Sequence, residues 1–256
     1  MEKEIKLALL IDADNISAKY IQYIMEEIAN HGLPTYKRIY GDWTDSHMNK
    51  WKDILLEYSI TPIQQYGYTV GKNATDSALI IDAMDILYSQ SVDGFCIVSS
   101  DSDFTKLASR LRESGKLVVG MGEKKTPRPF IVACERFKYL ESLSSAMNEE
   151  SSEENKNVAI NENKDDIRLL KKSIRSIIID ISDDEGWANM SSLGNMLSKR
   201  FPDFDVRNYG YSKLTPLISS LDDFEIKSVQ SKDSHVVHKL VRNKSKKGKK
   251  STNSNK

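Results

Sequence analysis

The strongest constraint on the fold is an alternation, between residues 5 and 140, of short apolar runs with segments of helical periodicity. The apolar runs predict strands at 6–11, 36–40, 61–65, 95–99 and 117–121. The amphipathic segments predict helices at 17–30, 46–58, 76–88 and 103–113. One helix after each strand is the pattern of right-handed crossovers. It predicts an α/β domain in which a parallel sheet carries helices on both faces.

A second, smaller domain is predicted beyond residue 164. Residues 142–164 are rich in Ser, Asn, Glu and Lys and have few apolar side chains, so we expect a flexible linker. Apolar periodicity returns at 165–241 as three helical segments and two β-like runs, which predicts a small winged-helix-like domain. Residues 242–256 are lysine-rich and are expected to form a disordered basic tail. The first domain is accordingly predicted at 1–141.

Charge and cysteine content narrow the functional classes. The chain has 37 basic and 37 acidic residues, but the acidic linker and the basic tail separate them along the sequence. A neutral total therefore does not exclude a nucleic-acid partner. Cys96 and Cys134 lack the spacing of a zinc site or a disulfide framework, and we expect buried thiols. Neither a signal peptide nor a membrane role is predicted, so we expect a cytoplasmic protein.

Aspartates follow the predicted strands at the places where the strands end. Asp12 ends the first strand, and Asp101 and Asp103 follow the strand at 95–99. If these strands are neighbours at a switch in strand order, their carboxyl ends bring the acids together with Asp76, which starts its helix. Asp82 and Asp85 lie on other sides of that helix and are expected to be solvated, with a supporting role behind the site as an alternative for Asp82.

Clustered carboxylates repel one another, and this repulsion favours a divalent cation between them. Oxygen ligands without His or Cys favour Mg²⁺ or Mn²⁺ over zinc. Lys72 is placed to bind a backbone phosphate, and Ser99 lies beside the predicted site. Each acid alone has a structural alternative, as a turn former, a helix-dipole partner or an N-cap.

Three motifs carry a resemblance to a known family. The segments Ile-Asp-Ala-Asp-Asn (11–15), Lys72 to Asp76 with its helix, and Val-Ser-Ser-Asp-Ser-Asp-Phe (98–104) resemble the NYN domain, a branch of the PIN-like nuclease superfamily. The resemblance implies a ribonuclease. The metal-binding catalytic acids that it implies are Asp12, Asp76, Asp101 and Asp103. Asn15 and Ser99 would support them, while Asp14 is expected to be a turn or outer residue. Ser100 stands where many relatives have Gly, and we expect it to narrow phosphate access.

The region from 165 to 241 resembles the OST-type helix-turn-helix, or LOTUS, domain. The resemblance rests on segments 186–197, 201–205 and 208–214. It implies RNA binding, or docking to a protein such as a helicase. Tyr209, Tyr211 and Lys213 combine aromatic and basic groups and are the predicted RNA contacts. Aromatic residues in a small domain also form its core, and we expect that role for Trp187 and Phe204.

Three functional hypotheses follow. The first is a Mg²⁺- or Mn²⁺-dependent ribonuclease whose C-terminal module recruits RNA. The second is a non-catalytic RNA-binding or adaptor protein that retains the PIN-like fold. The third is a site for a small phosphorylated metabolite, as other doubly wound folds have.

Overall fold

The computed structural model describes residues 4–66, 74–148, 164–230 and 237–244. The chain divides into two compact units. The first is Met1–Glu154 with Ser198–Asn208, and the second is Asn155–Leu197 with Tyr209–Lys256. Each unit has its own sheet.

The first unit contains the predicted parallel sheet, and the α/β prediction is confirmed. Its six strands are β1 (Lys6–Asp12), β2 (Leu33–Gly41), β3 (Thr61–Gln64), β4 (Gly94–Val98), β5 (Leu117–Gly122) and β6 (Arg136–Tyr139). Their order is β3-β2-β1-β4-β5-β6, and every adjacent pair is parallel. The chain runs outward from β1 to β3 and then returns to β4. The predicted switch in strand order therefore lies between β1 and β4.

Helices cover both faces of this sheet. They are α1 (Ile21–Ala29), α2 (Asn49–Lys52), α3 (Ala74–Ser89), α4 (Thr105–Glu113), α5 (Arg128–Ala133) and α6 (Leu140–Asn148). Alternate residues of β1 enter two cores: Ala8 and Leu10 pack with α3, whereas Leu9 packs with α1. This double burial explains why β1 is apolar almost throughout. Within the described ranges, no helix is long and apolar enough to cross a membrane.

Several boundaries differ from the sequence prediction. Neither α5 nor β6 was predicted, and the helix expected at 46–58 is reduced to a short 3-10 turn and α2. Residues 142–148, predicted as the start of the linker, are helical in α6 instead. The physical reason is that Leu140 and Leu143 are buried in the core, which ties this segment to the domain.

The second unit is a small domain of helices and an antiparallel sheet. Its elements are α7 (Lys164–Ile181), β7 (Ala188–Asn189), α8 (Met190–Arg200), α9 (Leu214–Ser220), β8 (Phe224–Gln230) and β9 (Val237–Asn243). The strand order is β7-β9-β8. β9 runs two residues into the predicted tail because Val241, paired with Ala188 and Ile226, is buried.

Candidate active site

Asp12 is a buried carboxylate at the carboxyl end of β1. Only 1% of the residue is exposed. The Ser99 hydroxyl donates to Asp12 Oδ2 at 2.7 Å, and the Asn15 backbone N–H also favours the charged carboxylate. Among the described residues, no hydrogen-bond partner reaches Asp12 Oδ1. One oxygen of this buried carboxylate thus accepts no hydrogen bond from the residues that the structure describes.

Three further acids form a compact group beside it. Asp76 lies in the first turn of α3, and Asp101 and Asp103 follow β4. Each offers a carboxylate oxygen, and these three oxygens lie within 4.8 Å of one another. Asp76 and Asp101 are half-buried, while Asp103 is exposed. The spacing allows one small cation to contact all three residues.

Asp101 has a structural role as well as its place in this group. Its side chain is the N-cap of the 3-10 turn Ser102–Phe104, and Oδ1 accepts from the Asp103 backbone N–H at 2.9 Å. The N-cap alternative considered from the sequence is therefore real. It occupies Oδ1 and leaves Oδ2 for another partner, so capping and metal binding are compatible.

Burial and mutual repulsion change the acidity of the site. Burial raises the pKa of Asp12 to about 6 against the opposing Ser99 hydrogen bond, and the nearby Asp76 and Asp14 carboxylates raise it further. Burial also raises the pKa of Asp76 to about 6, followed by repulsion from Asp101, Asp103 and Asp14. The Asp14 carboxylate thus contributes negative charge to the site.

Two serine side chains form hydrogen bonds at the strand ends that carry the acids. Ser99 Oγ donates to Asp12 and accepts from the Asp101 backbone N–H at 3.1 Å, so one hydroxyl joins the ends of β1 and β4. Ser100 is buried, and its Oγ accepts from the Glu123 backbone N–H at 2.8 Å. The Ser100 side chain therefore ties β4 to the loop after β5.

The acids have the chemistry of a hard-cation site. Carboxylate oxygens are the ligands that Mg²⁺ and Mn²⁺ prefer, and a cation would relieve the repulsion that raises both pKa values. The buried Oδ1 of Asp12 is an additional acceptor, and no donor for it lies in the described part of the chain. Lys72, the predicted phosphate-binding residue, lies outside the described residues.

In the second unit, the predicted RNA contacts are partly accessible. Tyr209 and Tyr211 are half-buried and Lys213 is exposed. Trp187, expected in the core, is also only half-buried. Lys227 Nζ lies 4.0 Å and Arg242 Cζ 4.4 Å from the centroid of its ring.

Sequence reasoning missed this pair of cations. Lys227 and Arg242 lie on paired strands, on the face that also carries Glu225, and Arg242 forms an ion pair with Glu225 at 2.6 Å. Strand alternation places both cations on the face opposite the half-buried Ile226 and the buried Val241. That alternation was the available sequence signal, but it does not reveal the proximity of Trp187.

Solved structures include three similar chains. A protein of unknown function from Vibrio parahaemolyticus is 19% identical over 54% of this chain and 93% of its own, with a TM-score of 0.45. An uncharacterized protein from Nitrosomonas europaea is 38% identical over 30% of this chain and 73% of its own, with a TM-score of 0.28. A protein from Chromobacterium violaceum is 30% identical over 29% of this chain and 78% of its own, with a TM-score of 0.25. No curated protein gives a significant match.

Two family matches account for the two predicted domains in the predicted order. Residues 6–141 match the NYN domain, and residues 165–236 match the OST-HTH/LOTUS domain. The NYN domain is a PIN-like, nuclease-type domain, and OST-HTH/LOTUS domains bind RNA. The chain therefore belongs to the NYN domain family and carries an OST-HTH/LOTUS domain after its NYN domain.

Proposed function

We propose that this protein is a ribonuclease that uses Mg²⁺ or Mn²⁺ to hydrolyse RNA phosphodiesters. The observation that carries the proposal is the group of three carboxylate oxygens within 4.8 Å of one another, from Asp76, Asp101 and Asp103. Asp12 supports it with a buried oxygen to which no residue of the described ranges donates. We also propose that the protein acts in the cytoplasm.

The proposed roles follow from the geometry. Asp76, Asp101 and Asp103 would hold the cation, with Asp12 as a further ligand through Oδ1. When bound, the cation supplies an activated water and neutralises charge on the phosphate. Ser99 orients Asp12 through the hydrogen bond to Oδ2. We keep Asn15 as a supporting residue and Lys72 as the phosphate contact predicted from the sequence.

The C-terminal domain is proposed to recruit the RNA. Lys213 offers a cation for phosphate contact, and Tyr209 and Tyr211 offer aromatic rings for base stacking. Lys227 and Arg242 add two cations around Trp187. Docking of a protein partner, such as a helicase, is a second proposed use of this domain.

The test is cleavage of single-stranded and structured RNA by the purified full-length protein in Mn²⁺, with Asp101→Asn as the inactive comparison. We expect the wild type to cleave and the variant to lose at least about 100-fold in rate, because the variant lacks one cation ligand. Equal cleavage by both proteins would overturn the proposal. RNA binding without any cleavage would instead identify a non-catalytic adaptor.

A further inference from the structure

Asp82 has two partners that the sequence did not identify, although a supporting role behind the site was an alternative for this residue. It was expected to be solvated, but its side chain is 21% exposed and both of its carboxylate oxygens are occupied. Arg38 Nη1 donates to Oδ1, and the Tyr40 hydroxyl donates to Oδ2. Arg38 and Tyr40 are two residues apart on β2, so both point to the same face of the sheet.

Tyr40 also adjoins the strand that carries Asp12. The two residues are partners in the register between β1 and β2, and the Tyr40 carbonyl accepts from the Ala13 backbone N–H at 3.0 Å. The Tyr40 side chain is fully buried against α3. Burial, and next the Asp82 carboxylate, raises the pKa of the Tyr40 hydroxyl, so the hydroxyl stays protonated and remains a donor.

Apolar packing holds α3 onto the sheet, and the polar contacts of Asp82 add direction to it. Leu79 and Ala83 press the helix onto the sheet, but hydrophobic contacts are non-directional and resist sliding less than they resist separation. A carboxylate that accepts from a guanidinium and a phenol is directional. Asp82 therefore makes a directional contact between α3 and β2.

We propose that Asp82 is a positioning residue that sets the register of α3 on β2. Because Asp76 lies six residues earlier in the same helix, about 9 Å along its axis, this register places the Asp76 carboxylate against Asp101 and Asp103. The inference rests on the metal site proposed above. It assigns the trio of Asp82, Arg38 and Tyr40 to the support of that site.

The test measures Mn²⁺ affinity by calorimetry and RNA cleavage against Mn²⁺ concentration in the full-length protein. We expect Asp82→Asn and Arg38→Gln each to weaken Mn²⁺ binding about 10-fold or more, as loss of an outer-shell partner does at metal sites. Raising Mn²⁺ should restore cleavage by both variants, with little change in KM for RNA.

Arg38→Gln is the decisive variant. It removes a positive charge near the acids, so electrostatics alone would strengthen cation binding. Weaker binding by Arg38→Gln therefore supports positioning, whereas unchanged or tighter binding overturns it. Tyr40→Phe removes only the hydroxyl and serves as a milder variant should Asp82→Asn fail to fold.

Two controls lie on the same helix. Asp85 is exposed, and Asp85→Asn removes the same charge as Asp82→Asn but should change Mn²⁺ affinity less than about 2-fold. Leu87→Ala should lower the Tm through loss of core packing without weakening Mn²⁺ binding. If Leu87→Ala weakens binding as much as Asp82→Asn, the effect is general loosening of α3 and the inference fails.

The outcomes also separate this inference from the proposed function. A wild-type protein without Mn²⁺ binding overturns both. A second outcome is that the wild type binds Mn²⁺, Asp101→Asn does not, and Arg38→Gln binds it as the wild type does. That outcome preserves the metal site and overturns only the role of Asp82.

Discussion

The two oxygens of Asp12 have different surroundings. Oδ2 accepts from Ser99, whereas Oδ1 is buried without a partner among the described residues. An unsatisfied buried acceptor costs about 1–3 kcal/mol, and the neighbouring carboxylates add repulsion to that cost. The site is therefore stabilised by either a proton or a cation, and the choice between them depends on pH.

The first prediction concerns this pH dependence in EDTA. Folding raises the pKa of Asp12 from 3.8 to about 6, so the folded state holds the proton more tightly. The contribution of protonated Asp12 to the free energy of unfolding is greatest at low pH and is lost as the pH rises through about 4 to 6. Asp12→Asn does not titrate. Between pH 4.5 and 7, its stability relative to the wild type should rise by about 2 kcal/mol, measured by urea denaturation.

Asp85→Asn is the control for this measurement, because Asp85 is exposed. We expect its stability to follow the wild type at both pH values. If the free energies of unfolding of Asp12→Asn and the wild type differ by the same amount at both pH values, the assignment of the raised pKa to Asp12 is contradicted.

At the scale of elements, β5 is closely covered by α5 and β6. A Cβ added at Gly120 would lie 2.6 Å from Cys134 Sγ and 2.6 Å from Phe137 Cδ2. Phe137 in turn packs edge-on against Phe130, with ring centroids 6.0 Å apart. This aromatic layer needs a glycine on β5. It packs β6 against β5, the strand that precedes the loop in contact with Ser100.

Gly120→Ala is therefore predicted to overpack this layer. We expect a loss of about 1–3 kcal/mol in the free energy of unfolding, measured by urea denaturation. Cys134→Ala removes one of the two clashing atoms and should restore part of the stability in the double variant. Additive losses from the two substitutions would show that the clash with Cys134 is not the cause.

At the scale of the whole molecule, the two units carry different chemistry. The first concentrates carboxylates around Asp76, and the second places Lys227 and Arg242 around Trp187. A chain with a formal net charge of zero thus has a group of acids in one unit and a pair of cations at an aromatic ring in the other. Cation binding and RNA binding should consequently respond to different substitutions.

The third prediction tests this separation. Lys227→Ala with Arg242→Ala should raise KM for RNA several-fold and reduce the salt dependence of binding, because up to two phosphate contacts are lost. The kcat of this double variant and its stabilisation by Mn²⁺ should stay unchanged. In Asp101→Asn, by contrast, kcat and the stabilisation by Mn²⁺ should fall while KM for RNA stays unchanged. Lys171→Ala removes a cation that pairs with Asp223 at 2.7 Å in the same unit and serves as the charge control. A fall in kcat with unchanged KM in the double variant would contradict the separation.

Much of the fold was predictable because its causes are local. The apolar runs of β1 to β5 and the helical period of α3 and α4 are properties of neighbouring residues. The parallel arrangement then followed from the alternation of strands with helices. The α5 and β6 elements were not predicted from the sequence. Their anchors, Phe130 and Phe137, are stabilised by the layer over β5.

The sequence by itself determined that Asp12, Asp101 and Asp103 stand at the carboxyl ends of strands and that Asp76 starts a helix. Only the tertiary structure decided that three of these acids share one group while Asp12 is buried beside Ser99. It also decided that Asp82 pairs with a strand 44 residues earlier in the chain. The reason is that local periodicity sets direction and burial, whereas contacts between distant residues depend on how the elements pack.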